Sequence, residues 1–513
     1  MKSRSQVIAA VLLIGWLGNG TAQVSVSGIS EYQLGNLSGQ SPQNLSSLYT
    51  KIDLGYYHSN MLIGLRAEQF QTTEDGRSYQ HFSQRYVEWQ DGPVKIRAGH
   101  FYTTLGRGLL LRAYELPNVI FEQRSFRRRY AYYRDLDGLM IHGQWSGFEF
   151  IALRGEPLNN EFPPQLETID RRDGVAEGGQ VAIRPMRWLE IGDAYLRFTR
   201  RDRPAQEMNS VFSQIKIGRL LRPLGWGAAS LNLYAEHARL NSGVDDFFSH
   251  SYTSPHATFL SLNFSNRKIG FSAEFKEYRD FENGINLPPI GYKEHSYHLL
   301  NRSTHELLAD NEKGHQFELS LRPLDNLFLV AHQSRAINDY GFGRLRFSDS
   351  FLEATMTLSE KVIGKLFFDK ARDDIKSVAD QVTGGAELEW SFHHNYGLTA
   401  EFQRQRVNIE LGSYREEFHN LYTTLTLSRA PYLSFALILE RSDDPNETDD
   451  PDTPQLESGA VNWFSAVISY EINMNHQLSL FAGSRRGGLA CVSGTCFEVL
   501  PFKGLELRWL FRL

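Results

Sequence analysis

Apolar and polar side chains alternate with a period of two along most of this chain. In the last segment, Leu505, Leu507 and Trp509 alternate with Glu506 and Arg508. Successive side chains of a β-strand point to opposite faces, so each such segment is predicted to be a strand with one apolar and one polar face. The apolar face requires lipid or a protein core, and the polar face requires water.

The connections between the predicted strands are alternately short and long. Short connections carry turn residues, as at 91–93 and 265–267. The long, polar ones lie near 35–46, 71–80, 104–135, 156–177, 201–208, 240–254, 281–313, 337–346, 371–382, 407–417, 441–459 and 487–501. An up-and-down barrel in the outer membrane has short periplasmic turns and long external loops. We therefore predict an all-β fold for 23–513, a single transmembrane antiparallel β-barrel of about 24 strands (roughly 22–26) with both ends on the periplasmic side.

Composition agrees with a barrel and argues against several other classes of protein. The mean hydropathy is −0.39, and charged residues make up 22% of the chain. After the N-terminus, no apolar run approaches the roughly 20 residues that a membrane-spanning helix needs. A barrel can be polar on average because only alternate strand residues face lipid. The net charge of −6 argues against a nucleic-acid partner, since nucleic-acid binders normally carry a basic excess.

The N-terminus has the layout of an export signal. Lys2 and Arg4 precede the apolar stretch 7–17, and small residues follow at 20–22. This order of a charged region, an apolar region and a small-residue cleavage site predicts a signal peptide over 1–22. Because the first strand is expected to start directly after it, we predict no separate N-terminal plug domain.

The C-terminal strand points to the bacterial outer membrane as the location. Its aromatic residues and last residue, Trp509, Phe511 and Leu513, resemble the terminal signal that the barrel assembly machinery reads. The usual last residue of that signal is Phe, whereas this chain ends in Leu. The expected partners are the assembly machinery, outer-membrane lipid and lipopolysaccharide.

The predicted loop 104–135 is rich in arginine and also contains apolar groups, at 109–111 and 119–121. Its seven arginines are Arg107, Arg112, Arg124, Arg127, Arg128, Arg129 and Arg134. A fully solvated loop has little use for the apolar groups, so we hypothesise that it folds into the lumen and narrows the pore. Some arginines would then pair with wall carboxylates, and the unpaired ones would favour small anionic solutes. Alternatively, the loop packs over the rim, with its arginines in structural ion pairs or bound to lipid phosphates.

The predicted loop 281–313 is the second candidate for occluding the lumen. Ser303 and Glu306 fit a capping box, which predicts a short helix starting there. His295, His298 and His305 could suggest a metal site, but no Cys joins them and the spacing to a third ligand is loose. We therefore expect surface or loop-packing histidines, with no metal and no cofactor.

The two cysteines of the chain, Cys491 and Cys496, lie in one predicted external loop. In an exported protein, such a pair predicts a disulfide. Enzyme motifs are absent: there is no Gly-x-Ser-x-Gly, no His-Glu-x-x-His and no nucleotide-binding fingerprint. We therefore do not expect an enzyme, although barrel enzymes can carry dispersed catalytic residues.

Several stretches carry a family resemblance that spans most of the predicted mature chain. They are 106–111 (GRGLLL), 299–302 (LLNR), His305 with 309–314 (ADNEKG), and 485–488 (RRGG) with Cys491, Cys496 and 501–504 (PFKG). Together they resemble an uncharacterised family of outer-membrane β-barrels, a domain of unknown function in Bacteroidetes-type bacteria. The resemblance implies a barrel with loop cysteines, and it implies no catalytic residue.

The sequence thus predicts an outer-membrane, porin-like channel for passive solute uptake, its lumen narrowed by the arginine-rich loop. At this strand number a barrel is wide, so something must fill it. The alternative is a non-conducting barrel that serves as a scaffold or partner in envelope assembly, secretion or polysaccharide export. A third hypothesis is a surface-exposed enzyme. Whether the barrel conducts separates the first two.

Overall fold

The computed structural model describes most of the chain. The described residues are 23–36, 45–74, 76–122, 128–158, 172, 174–200, 204–218, 229–240, 255–308, 311–341, 343–447 and 459–513. The predicted signal peptide therefore lies outside the described residues, as do Arg124 and Arg127.

The fold is a closed antiparallel β-barrel of 24 strands, which confirms the predicted architecture. Its wall strands are β1 (Gln23–Asn36), β2 (Leu45–His58), β3 (Met61–Thr72), β4 (Tyr79–Asp91), β5 (Val94–Phe101), β10 (Leu136–Gln144), β11 (Phe148–Pro157), β12 (Val175–Met186), β13 (Leu189–Thr199), β14 (Gln206–Lys216), β15 (Ser230–Leu240), β16 (His256–Ser265), β17 (Ile269–Arg279), β18 (Asn311–Leu324), β19 (Leu327–Asp339), β20 (Arg344–Ser359), β21 (Val362–Asp373), β22 (Val378–His393), β23 (Tyr396–Leu411), β24 (Tyr414–Arg429), β25 (Leu433–Ser442), β26 (Val461–Asn473), β27 (His476–Arg485) and β30 (Phe502–Arg512).

Six further strands and one helix belong to the loops and not to the wall. They are β6 (Thr104–Leu105), β7 (Leu111–Arg112), β8 (Tyr114–Glu122), β9 (Arg129–Arg134), β28 (Gly488–Val492), β29 (Thr495–Val499) and α1 (His298–Arg302). The pairs β6 with β7, β8 with β9 and β28 with β29 form separate two-stranded sheets. In the described part of the chain, no helix has the length and apolar character needed to cross a membrane.

The seam between the first and last strands closes the wall. β30 pairs with both β27 and β1, so that Leu507 lies opposite Tyr32. The seam ends with a reciprocal backbone pair between Val26 and Leu513, at 3.1 and 2.6 Å. Phe511 packs over Gly28, where a Cβ would lie 2.7 Å from its ring. The aromatic C-terminal residues of the chain thus take part in closing the barrel.

The alternation seen in the sequence separates the two faces of the wall. On β30, Leu505, Leu507 and Trp509 are 48%, 43% and 40% exposed on the outer face. Glu506, between them, is buried on the inner face and accepts a hydrogen bond from Gln33 at 2.8 Å. We call the face that carries Glu506 the inward face, because its side chains contact chain segments enclosed by the wall.

The wall is not equally high all round. β5 and β10 have only eight and nine residues, whereas β22, β23 and β24 have 16 each. Three connections predicted to be long are short. The stretches 337–346, 371–382 and 407–417 belong mostly to paired strands, and the connections between those strands are 340–343, 374–377 and 412–413. These strand ends are rich in charged and amide residues, which gave them the composition of loops.

Candidate functional site

Three long connections pack against the inward face of the wall. We call them L1 (102–135), L2 (280–308) and L3 (486–501). L1 leaves the wall where β5 and β10 are short, and L3 carries the hairpin of β28 and β29. The candidate functional site is the space that these loops share with the wall.

Glu236 on β15 holds the start of L1. Its carboxylate accepts hydrogen bonds from the backbone N–H of Arg107 at 2.8 Å and from the hydroxyls of Tyr234 and Ser210 at 2.6 and 2.8 Å. Gly106 has φ +56°, and a Cβ there would lie 2.2 Å from the Glu236 carboxylate. Only glycine fits this close approach at a positive φ without strain.

Glu115 on β8 joins L1 to the opposite side of the wall. Its two carboxylate oxygens bind Lys51 of β2 and Arg66 of β3, each at 2.8 Å. Burial opposes the charged form of Glu115, but the Arg66 and Lys51 cations outweigh it and hold the pKa of Glu115 below its usual value. The carboxylate is thus charged while the loop is docked.

The described arginines of L1 have different surroundings. Arg129 is buried and pairs with Glu31 of β1 and with Glu122. Arg128 donates to the carbonyl of Gly76 at 2.9 Å, and Arg134 lies beside Tyr132.

Arg107 and Arg112 have aromatic and carbonyl partners instead of acidic ones. The Arg107 guanidinium lies over the Tyr234 ring at 4.8 Å, and that of Arg112 lies over Tyr114 at 5.1 Å and donates to the Ser493 carbonyl at 3.2 Å. Among the described residues, no carboxylate is within ion-pair distance of either guanidinium. Their charges are therefore not cancelled by direct contact.

L2 crosses the inward face from β18 toward β25. Lys293 binds Glu318 of β18 at 2.7 Å, and the Tyr297 hydroxyl donates to Glu353 of β20 at 2.8 Å. The backbone N–H of Leu299 then donates to the side chain of Gln403 on β23 at 3.0 Å. The predicted helix start at Ser303 is wrong: α1 ends there, and the Ser303 hydroxyl caps the carbonyl of Leu299 at 2.8 Å.

The three loops also bind one another. Between L1 and L2, the Arg112 N–H donates to the Ile285 carbonyl at 3.1 Å. Between L2 and L3, the amide of Asn301 exchanges two hydrogen bonds with the backbone of Cys491, both at 3.0 Å. L1 and L3 meet at Tyr114 and Thr495, whose hydroxyls are 2.8 Å apart. The loops are thus linked as one unit.

Cys491 and Cys496 form a disulfide at the base of the L3 turn. Cys491 is buried, because the hairpin packs on α1 and on L1. The loop turns inward and contributes to the contacts between loops.

A cavity of about 470 Å³ lies between α1, the hairpin of L3 and strands β23 to β27. Its lining combines aromatic rings with charged groups, including Tyr422, Trp463, Arg302, Arg485, Arg486 and Glu440. Such mixed walls suit polar solutes, because aromatic faces and guanidinium groups both bind planar or charged groups.

Glu440 on β25 is the centre of the charge network in this cavity. Arg302 of α1 binds it at 3.0 Å, Arg486 of L3 at 3.3 Å, and the His298 ring at 3.3 Å. Arg486 also binds Glu447 at 2.7 Å. Burial and the neighbouring Arg486 cation lower the pKa of Arg302, against the attraction of Glu440.

The three histidines of L2 do not share a site. His295 is 3.0 Å from Asp349, His298 stacks on Tyr422 with ring centroids 4.2 Å apart, and His305 is 2.8 Å from Asp373. The sequence analysis missed Glu236 and Glu440, which hold the loops. In the sequence, each of them is an acidic residue on the polar face of a strand, and many other residues fit that description.

Comparison with known proteins gives a partial family match. Residues 29–124 match the profile described as "Family of unknown function (DUF6029)". This agrees with the uncharacterised nature of the family that the sequence resembles. No curated protein matches the chain.

Solved outer-membrane barrels are similar to this chain only at low identity. OprD from Pseudomonas aeruginosa has a TM-score of 0.38 and 11% identity, covering 69% of this chain and 88% of that chain. OccK11 (OpdR) from the same organism has a TM-score of 0.38 and 10% identity, covering 80% and 95%. The translocation pore of the P pilus usher PapC has a TM-score of 0.40 and 9% identity, covering 96% and 99%.

Proposed function

We propose that this chain is a porin-like channel of the Gram-negative outer membrane for passive uptake of small polar solutes. In this proposal L1, L2 and L3 form a plug that narrows the lumen, and the arginines of L1 favour anions. The observation that carries the proposal is the charged and aromatic cavity between the plug and strands β23 to β27.

The outer face supports a location in lipid. Large apolar side chains are exposed on strands all round the wall, among them Ile63, Val181, Phe317, Leu388 and Leu507. An exposed apolar surface of that extent is unfavourable in water and requires lipid or a partner. Its period-two arrangement on a closed barrel is the one that transmembrane barrels use.

The preference for anions rests on Arg107 and Arg112. Among the described residues, neither guanidinium has a carboxylate within ion-pair distance, although the Arg107 charge also acts on the nearby Glu236 and Glu274 carboxylates. Both arginines lie on the inward side of the wall, beside Tyr234 and Ser493. Unpaired cations along a pore attract anions and repel cations. The preference should therefore weaken when the two charges are removed.

Planar-bilayer recording tests conduction and selectivity together. Purified protein should form steady channels whose reversal potential in a salt gradient indicates anion preference. R107Q combined with R112Q should move the reversal potential toward zero, whereas R344Q, which removes an exposed rim arginine paired with Asp339, should not. Absence of conductance contradicts the channel proposal, and an unchanged reversal potential contradicts the role of L1.

A second candidate is a non-conducting barrel that acts as a scaffold in the envelope. The observation that favours it is the set of hydrogen bonds that joins the three loops into one unit. This candidate predicts no conductance in the wild type and a periplasmic or surface protein that copurifies in stoichiometric amount.

A further inference from the structure

A group of buried histidine and aspartate side chains lies where L2 meets strands β19 to β21. His295 comes from L2, His332 from β19 and Asp349 from β20, and one ligand atom of each lies within 4.8 Å of the others. All three residues are buried, at 6%, 4% and 5% exposure. Asp369 of β21, at 1% exposure, faces Asp349 within hydrogen-bonding reach.

The polar atoms of this group lack the partners that burial normally requires. His295 Nδ1, His332 Nδ1, Asp349 Oδ1 and Asp369 Oδ1 are all buried and have no hydrogen-bond partner among the described residues. Buried polar groups are nearly always satisfied, so the unpartnered His332 Nδ1, which faces Asp349, and the unpartnered oxygens of Asp349 and Asp369 require an explanation. Two facing carboxylates repel each other unless a cation or a proton lies between them.

We propose that His295, His332 and Asp349 bind a divalent transition-metal ion of the zinc class, and that the ion fastens L2 to the wall. Two imidazoles with one or two carboxylates form a ligand set that suits such ions.

The distances fit this assignment. His295 Nε2 is 3.0 Å and His332 Nδ1 is 3.9 Å from Asp349 Oδ2. Ligands of a tetrahedral zinc ion lie roughly 3.4 Å apart, between these two values. The Ser334 hydroxyl is 2.9 Å from His332 Nε2. It therefore holds the ring so that Nδ1 faces Asp349, as outer partners of metal-bound histidines do.

Neighbouring strands place the wall ligands. Ser334 lies opposite Asp349 on β19 and β20, and His332 lies opposite Phe351. Phe351 in turn lies opposite Asp369 on β21. The His295 ring packs on Phe351 with centroids 4.7 Å apart. The wall thus supplies fixed ligands, and L2 supplies the one that depends on loop docking.

Metal titration of the full-length protein in detergent, after treatment with a chelator, tests the proposal. The wild type should bind one equivalent of Zn²⁺ by calorimetry, and Co²⁺ should give the visible absorption of a low-symmetry, four- or five-coordinate site. H332Q and D349N should weaken binding at least tenfold, and S334A by roughly tenfold. H419Q is the matched control, because His419 is a partly exposed histidine 3.6 Å from Asp443 and distant in sequence from the proposed ligands, and it should bind as the wild type does.

A loop variant separates ligand loss from misfolding. H295Q changes only L2 and leaves the hydrogen-bonded wall intact, so it should fold and still lose the metal. Zn²⁺ should also slow proteolysis of L2 at least tenfold in the wild type and not in H295Q. No stoichiometric binding by the wild type, or equal binding by the wild type and H295Q, overturns the proposal.

Discussion

The backbone N–H of Arg107 donates to a carboxylate oxygen of Glu236 at 2.8 Å, which docks L1 on β15. The approach is close because Gly106 has no side chain.

We expect G106A to undock the start of L1, because the new methyl group meets the Glu236 carboxylate at 2.2 Å. Limited proteolysis should become faster within 102–122, and channel recordings should become noisier. G92A is the control: Gly92 has a similar φ of +52° but open space around a Cβ. Equal effects of the two substitutions would assign the change to backbone strain alone.

Removing the charge of Glu440 should destabilise the protein more than removing a surface charge. E440Q leaves Arg302 and the buried Arg486 without their shared carboxylate. Buried charges that lose a partner cost roughly 3 kcal/mol or more. Denaturant unfolding in detergent should show this loss. D339N, which breaks only the exposed pair with Arg344, should unfold as the wild type does, and a wild-type curve for E440Q would contradict the prediction.

Docking of L2 should depend on pH through His305. Burial disfavours the charged ring, but hydrogen bonds and charge from Asp373 and Glu312 outweigh it and raise its pKa above the usual value. Glu312 is itself paired with Lys276. A raised folded-state pKa stabilises the docked loop fully below the unfolded pKa, and that contribution disappears as pH rises through the folded value.

Hydrogen exchange in L2, measured from mildly acidic to alkaline pH and corrected for intrinsic exchange rates, should therefore show protection that falls as pH rises. In H305Q the protection should be weaker at acidic pH, and its fall across the neutral range should be lost. A wild-type profile that is flat in pH would exclude His305 as the titrating group.

The disulfide should stabilise the hairpin of L3 without being required for the barrel. Replacing both cysteines, as C491S with C496S, removes a small-ring constraint worth about 2 kcal/mol in the chain-entropy model. We expect faster proteolysis within 486–501 and an intact barrel by circular dichroism. Reductant added to the wild type should produce the same change. Loss of the whole barrel would contradict this prediction.

The barrel could be predicted from the sequence because each strand carries its own signal. Alternation at Leu505, Leu507 and Trp509 reflects a wall with lipid on one side. The prediction of long loops was wrong at 337–346, 371–382 and 407–417, where the strand ends are rich in charged and amide residues. Loops have the same composition, so composition alone cannot distinguish these strand ends from loops.

The contacts inside the wall could not be predicted in the same way. Glu236 binds Arg107 across 129 positions of sequence, and Asn301 binds Cys491 across 190. Such pairs depend on how far each loop reaches across the lumen, which local patterns do not encode. His332 and Asp349 were missed for this reason, since each is an ordinary polar residue on its own strand.

Glu31 of the first strand joins L1 to the last strand of the barrel. One of its carboxylate oxygens contacts Arg129 of L1, and the other contacts Arg508 of the last strand. A barrel that closes with L1 outside leaves half of this buried carboxylate unpaired, and a docked L1 in an open sheet leaves the other half unpaired. Both oxygens are paired only when L1 is docked and the seam is closed. The Glu31 side chain therefore couples the docking of L1 to the closure of the barrel.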